Sequence, residues 1–248
     1  MLTKKHLILL LLLMVISSFF GQKKDEKNRQ VGFLIGALVP INYFGIGPLE
    51  VSENNSSISL NNELGYNFGM LLKTDYSKKI SLETGIVFCQ RNFKLTGVTS
   101  NQASILRDTS SFGYINYSFP VKGIVYVQLN KYLLMRNSIG FNVDFYASAV
   151  ASKGNNFLID HYSERARWIN GSLSGELGVE KRSSKIGIFY IGVEVNIPIS
   201  SIAVTRVNFY YDGQIYNEYD PIFLRGNFFG IKLKYYLPVD MESEKKSD

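Results

Sequence analysis

Cysteine occurs once, at Cys89, and histidine only at His6 and His161. A lone cysteine rules out an intramolecular disulfide, so an exported chain of this composition needs another stabilising device. So few cysteines and histidines also argue against a transition-metal centre. Long apolar runs are scarce: past the N-terminus, nothing approaches the roughly 20 residues that a spanning helix needs. Basic residues outnumber acidic ones only mildly, 27 against 21, and lie scattered along the chain. Nucleic-acid binding, which needs clustered basic patches, is not expected.

What is present starts at the first residues. Lys4 and Lys5 precede an unbroken apolar run from Leu7 to Ile16, and small and polar residues follow around Ser17, Ser18, Gly21 and Gln22. That order belongs to a cleavable secretory signal, and the run is too short for a permanent helix. Residues 1–21 are therefore expected to be a signal peptide. With no cysteine beside it, a lipid-anchored start is not expected. Its loss removes two basic and no acidic residues, lowering the net charge from +6 to +4. A polar linker over 22–29 and a polar tail over 238–248 flank the remaining 30–237.

Within 30–237 hydrophobicity alternates with period two, the mark of strands with one apolar and one polar face. Between Glu63 and Tyr76, the side chains of Leu64, Tyr66, Phe68, Met70, Leu72 and Thr74 share one face. Glu63, Gly65, Asn67, Gly69, Lys73 and Asp75 share the other. Six more segments repeat the pattern. Their polar faces carry Glu83 and Arg91; Asn116, Ser118 and Lys122; Arg136, Ser138, Asn142 and Asp144; Asn170, Ser172, Ser174, Glu176 and Glu180; Glu194 and Asn196; and Lys232 and Lys234. Gln30 to Asn42 is apolar on both faces, and Val31, Phe33, Ile35, Ala37 and Val39 are assigned outward. The total is eight strands.

Connections alternate strictly between long (44–62, 94–113, 149–167, 201–224) and short (77–79, 130–131, 182–184). All long loops then fall at one end and all short turns at the other, as in outer-membrane barrels. The expected fold is all-β: an eight-stranded antiparallel up-and-down transmembrane β-barrel in the bacterial outer membrane, with short periplasmic turns and long external loops. A sheet in a bilayer must close on itself, and eight strands leave an interior that side chains fill. Apolar faces would meet lipid. The lumen would hold Lys73, Arg91, Lys122, Arg136, Lys232 and Lys234 against Glu63, Asp75, Glu83, Asp144, Glu176, Glu180 and Glu194. Near-balance predicts an ion-paired plug instead of a wide pore, because buried charges are costly unless paired. Aromatics near strand ends fit interfacial girdles: Tyr43, Phe44, Phe93, Tyr114, Phe145, Trp168 and Phe228 on the loop side, Tyr76, Tyr132, Tyr235 and Tyr236 on the turn side. A soluble lipocalin-like binding barrel, with its apolar faces inside, is the alternative architecture. Strand length, the girdles and the regular loop asymmetry weigh against it.

The segment Tyr114 to Tyr126, with a tyrosine opening the strand and Pro120 interrupting it, resembles a hallmark strand of the PorT-like outer-membrane β-barrel family. Closing residues Gly230 to Leu237 are similar as well. The resemblance implies an outer-membrane barrel, with some relatives serving secretion or gliding machinery. The polar tail after the last strand departs from barrels that end on an aromatic.

Little here suits catalysis. His161 and Ser163 lie two apart in a predicted loop, with Glu176 thirteen residues beyond Ser163. Outer-membrane lipid A deacylases use such a trio, so a lipid A-modifying enzyme is the alternative activity; a solvated loop histidine is the simpler expectation, since triads are recognised by geometry. Cys89 is expected to pack in the lumen. The last loop gathers Phe209, Tyr210, Tyr211, Asp212, Tyr216, Tyr219, Asp220 and Phe223, either a recognition surface or an aromatic collar folded over the mouth. Asp212-Gly213 suits a tight turn, and Glu218 and Asp220 match no calcium-loop spacing. No catalytic, cofactor or metal residue is assigned. The expected role is a structural or interaction module linked to secretion or envelope function. Its partners are expected to be outer-membrane lipids, including lipopolysaccharide, and proteins met through external loops or periplasmic tails.

Overall fold

A computed structural model of the chain describes residues 29–40, 49–53, 56–100, 105–147, 149–156, 158–183, 185–211, 214–218 and 220–238. The expected signal peptide and both polar tails lie outside the described residues, apart from Arg29 and Pro238. In chain order the strands are β1 (Arg29–Pro40), β2 (Leu49–Glu53), β3 (Ser56–Asp75), β4 (Ile80–Ser100), β5 (Ile105–Gln128), β6 (Leu133–Tyr146), β7 (Val150–Lys153), β8 (Ile159–Arg165), β9 (Ile169–Ser183), β10 (Gly187–Pro198), β11 (Ala203–Tyr211), β12 (Gln214–Glu218), β13 (Ile222–Leu224) and β14 (Phe228–Tyr236).

Eight of these, β1, β3, β4, β5, β6, β9, β10 and β14, join in one antiparallel ring. Each pairs with the next, and β1 closes the circuit by pairing with both β14 and β3. Closure matters because an open edge leaves backbone donors and acceptors without partners. Period-two alternation sets the register: outward positions are mostly apolar and exposed, and inward positions are buried and mostly polar, small or aromatic, with Leu34 and Leu38 of β1 among the apolar exceptions. The outward assignment of Val31, Phe33, Ile35 and Ala37 on β1 holds. Turns at Tyr76–Lys79 and Leu129–Tyr132 are short. In the second, the Asn130 side-chain oxygen accepts from the backbone N–H groups of Tyr132 and Leu133, both at 2.9 Å. Arg29 and Tyr236 both sit at this short-turn end, as an even strand number requires.

The other end departs from expectation. Segment 94–113 is no loop: β4 and β5 stay paired out to Ser100 and Ile105, giving strands of 21 and 24 residues. Alternate positions there, Leu95, Phe112 and Asp108 among them, are buried. β2 lines the outer half of β3. The third and fourth long connections fold into a second sheet, ordered β12-β11-β8-β7, with β13 also on β11. This cap sheet and the tall β3–β5 wall enclose a hydrophobic core of Ile58, Leu60, Leu95, Phe112, Ile159, Val207 and Phe209 with their neighbours. A separate apolar cluster, including Leu34, Leu38, Leu71 and Val87, occupies part of the ring interior.

Several girdle assignments are corrected by this burial. Phe93, Tyr114, Phe228 and Tyr236 point inward and are buried. Their positions share parity with the polar lumen residues of the same strands, so alternation sends them inside. Tyr76, Tyr132 and Trp168 are exposed as expected, and Tyr43 and Phe44 lie outside the described residues. Glu63 is also corrected: a register shift between Glu63 and Tyr66 turns it to the surface.

Candidate functional site

Beside its apolar cluster, the ring interior holds a continuous charge network. Arg136 on β6 is fully buried. Its Nη2 lies 2.5 Å from Glu83 on β4, and its Nη1 lies 3.4 Å from Glu180 on β9. The same Nη1 donates to the Tyr236 hydroxyl at 3.0 Å, and that hydroxyl bonds Glu83 in turn. Glu176 on β9 sits among four cations: Lys234 at 2.8 Å, Lys122 at 2.9 Å, Lys232 at 3.4 Å and Arg136 at 3.8 Å. Lys122 and Lys232 share Glu194, Lys234 reaches Glu83 at 2.8 Å, and Lys73 reaches Glu180 at 3.2 Å. Pairing on this scale offsets the desolvation that isolated buried ions would suffer. Nearer the cap, Asn116 bridges Arg91 and Asp144 through its two amide atoms. Thus every predicted lumen charge but Glu63 joins the interior, Asp75 at its rim.

The sequence reading missed the aromatic half of this interior. Arg136 stacks over the Tyr190 ring at 4.6 Å, and Tyr126 donates to Glu180 at 3.3 Å. A Cβ at Gly178 or Gly192 would collide with the Tyr190 side chain, so these two glycines make its space. The signal was there in parity: Tyr126, Tyr190 and Tyr236 alternate in step with Lys122, Glu194 and Lys234. Among the described residues, a cavity of about 20 Å³ lies inside beside Cys89, Asn67 and Asn196. That is room for about one water. Cys89 is buried there, as expected.

The cap holds the other candidate. His161 and Ser163 are wholly buried on β8, which corrects the expectation of a solvated loop histidine. His161 stacks on Phe112 with ring centroids 3.9 Å apart. Its Nε2 is 2.6 Å from Ser163 Oγ, which is 2.6 Å from Thr205 Oγ1; its Nδ1 is 2.8 Å from Ser152 Oγ. Both nitrogens therefore end on hydroxyls. Glu176 is bound to the lumen lysines, not to this histidine, so the structure does not bring the three residues of a triad together. Burial pushes the His161 imidazole down to about 4 from its ordinary 6.5. Between those values an opened cap binds a proton that the closed cap refuses, so cap stability falls as pH drops through this window, by about 3 kcal/mol in all. Trp168, the single tryptophan, lies under the Arg165 guanidinium at 4.2 Å where cap meets ring. Its fluorescence in urea titrations should report a lower midpoint at pH 5 than at pH 7.5. His161→Phe, which keeps the stacking, should flatten that difference; an unchanged difference would remove His161 as its source.

No protein-family model matches the chain, and neither does any curated protein. Among solved structures it is similar to an outer-membrane channel from Pseudomonas putida F1, at 10% identity over 87% of this chain and 98% of that one, with a TM-score of 0.28. At that score the likeness is too slight to bear on fold or role.

The aromatic last loop divides. Phe209 is buried in the cap core, Phe223 is exposed on the cap's outer face, and Asp220 is exposed. Asp212, Gly213 and Tyr219 lie outside the described residues, as do the side chains of Tyr211, Tyr216 and Glu218. Among the described residues, no group of three or more histidine, cysteine, aspartate or glutamate side chains could hold a metal.

Proposed function

We propose that the protein is a non-enzymatic integral outer-membrane β-barrel, up-and-down in topology, with its short turns in the periplasm and its cap outside. One observation carries this: the ring is polar within and apolar without. Ile139 and Ile35 are 77% and 62% exposed, while Arg136 and Glu180 have no exposed surface. A soluble container would carry the reverse arrangement, and a water-facing apolar band of this extent would drive aggregation. Hydrocarbon removes that conflict, and a closed ring leaves no unpaired edge in it. The ring strands of 9 to 24 residues meet or exceed the roughly 9 to 11 that a tilted span requires. The secretory-type leader and the PorT-like segments Tyr114 to Tyr126 and Gly230 to Leu237 support the same reading.

With its lumen filled, such a barrel acts as a structural or interaction module and not as a pore. Its cap and polar tails are the surfaces for protein partners, and Trp168 with Arg165 lies where lipopolysaccharide headgroups would meet the barrel.

Two measurements test the proposal. The outer-membrane fraction should contain a band whose gel mobility changes on boiling; recovery in the periplasm without such a shift would overturn it. Reconstituted into planar bilayers the wild type should be silent. Sustained unitary conductance would refute the filled lumen.

A further inference from the structure

On the outward face near the short-turn end, cross-strand partners line up around the ring. Leu133, Lys181, Phe189, Tyr235 and Phe33 follow one another through direct pairings. The next row holds Val179, Ile191, Leu233 and Ile35. Between them lies an apolar groove of about 430 Å³. Phe189 and Tyr235 pack against each other along it, with ring centroids 4.8 Å apart.

Lys181 is the one charged side chain on this outward lining, and it makes no ion pair with any described residue. The adjoining turn brings a second exposed cation: Arg182 N donates to Tyr132 O at 3.0 Å, setting Lys131 and Tyr132 beside the β9 end. Lys78, Lys79 and Lys185 are exposed at the same end. The one acid among the described residues of that rim, Asp75, is taken up by Arg182 and Lys73. A lysine at the edge of an apolar surface is stable when its ammonium reaches the headgroup layer, and an anionic headgroup supplies the missing counter-charge.

We propose that this groove and its lysines form a binding site for one phospholipid of the periplasmic leaflet, with an acyl chain along Phe189, Ile191 and Leu233 and the phosphate on Lys181 and Lys131. The site rests on the membrane reading given above. Its probe is dioleoylphosphatidylglycerol, added to the detergent-solubilised full chain and followed by native mass spectrometry. One lipid per chain should be retained in a saturable first step. Lys131→Gln combined with Lys181→Gln should weaken retention about tenfold, and Val179→Trp, which fills the groove, should weaken it at least as much. Glycerophosphate, the headgroup without chains, should not be retained. Equal retention by wild type and both variants, or graded uptake with no first step, would overturn the site. So would a dimer peak abolished by Val179→Trp, because the groove would then seat a second copy. Every sample is also run unboiled on a gel: variants that keep the heat-dependent shift test the site alone, whereas its loss in the wild type would count against the barrel itself.

Discussion

Replacing Glu176 by leucine is expected to lower the urea midpoint for unfolding of the ring by the equivalent of about 3 kcal/mol. The carboxylate accepts from Ser138 as well as from Lys122, Lys232 and Lys234. Its removal leaves three lysines and Arg136 to share fewer acids. Each retains at least one: Glu194 for Lys122 and Lys232, Glu83 for Lys234, and Glu83 with Glu180 for Arg136. The cost therefore belongs at the lower end of the range for breaking a buried pair, and not at the sum of four lost contacts. Charge imbalance is the cause, so a second change that removes a cation should restore stability. Glu176→Leu with Lys232→Met should recover at least half of the loss, although it deletes one more polar group. Unfolding is followed by loss of the heat-shifted gel band across a urea series. If the double variant were less stable than Glu176→Leu alone, hydrogen bonding and not charge balance would govern the lumen.

This behaviour concerns the part of the molecule most legible in the sequence. Ring strands bury one face, and a two-residue period assigns every side chain between two irregularities. Glu63 escaped because a local register shift, invisible in composition, breaks the period just before Tyr66. Tyr126, Tyr190 and Tyr236 escaped because an aromatic side chain suits lipid and lumen alike; only its partner, a guanidinium or a carboxylate, decides. The cap was illegible for a different reason. Its strands are short, three to nine residues, and their stability comes from pairing between distant segments, as when Val207 meets His161. Burial of His161 likewise depends on Phe112, almost fifty residues away in the chain. Local periodicity carries no information about such contacts.

Asp108 is the residue on which the cap most depends, and Asp108→Ala is expected to loosen it without opening the ring. Its buried carboxylate receives four backbone N–H groups. Oδ1 accepts from Thr109 at 2.8 Å and Asn156 at 2.9 Å; Oδ2 accepts from Leu158 at 2.9 Å and Ile159 at 3.1 Å. One side chain on β5 thereby fixes the connection between β7 and β8, and with it the strand that carries His161. The approach is close enough that a Cβ at Gly154 would collide with the carboxylate, so Gly154→Ala should act in the same direction. Alanine at 108 strands these donors, and each buried group left unsatisfied costs about 1–3 kcal/mol. Asn156 and Thr109 can turn to water, which leaves a loss of about 3 kcal/mol for the cap as a whole. Because cleavage of a transiently opened segment follows its open population, trypsin should cut at Lys153 and Arg165 at least tenfold faster in Asp108→Ala. Asp108→Asn keeps one acceptor oxygen and should fall between. All three variants should retain the heat-dependent gel shift of the ring. Digestion at the wild-type rate would show that the core around Val207 and Phe209 holds the cap unaided.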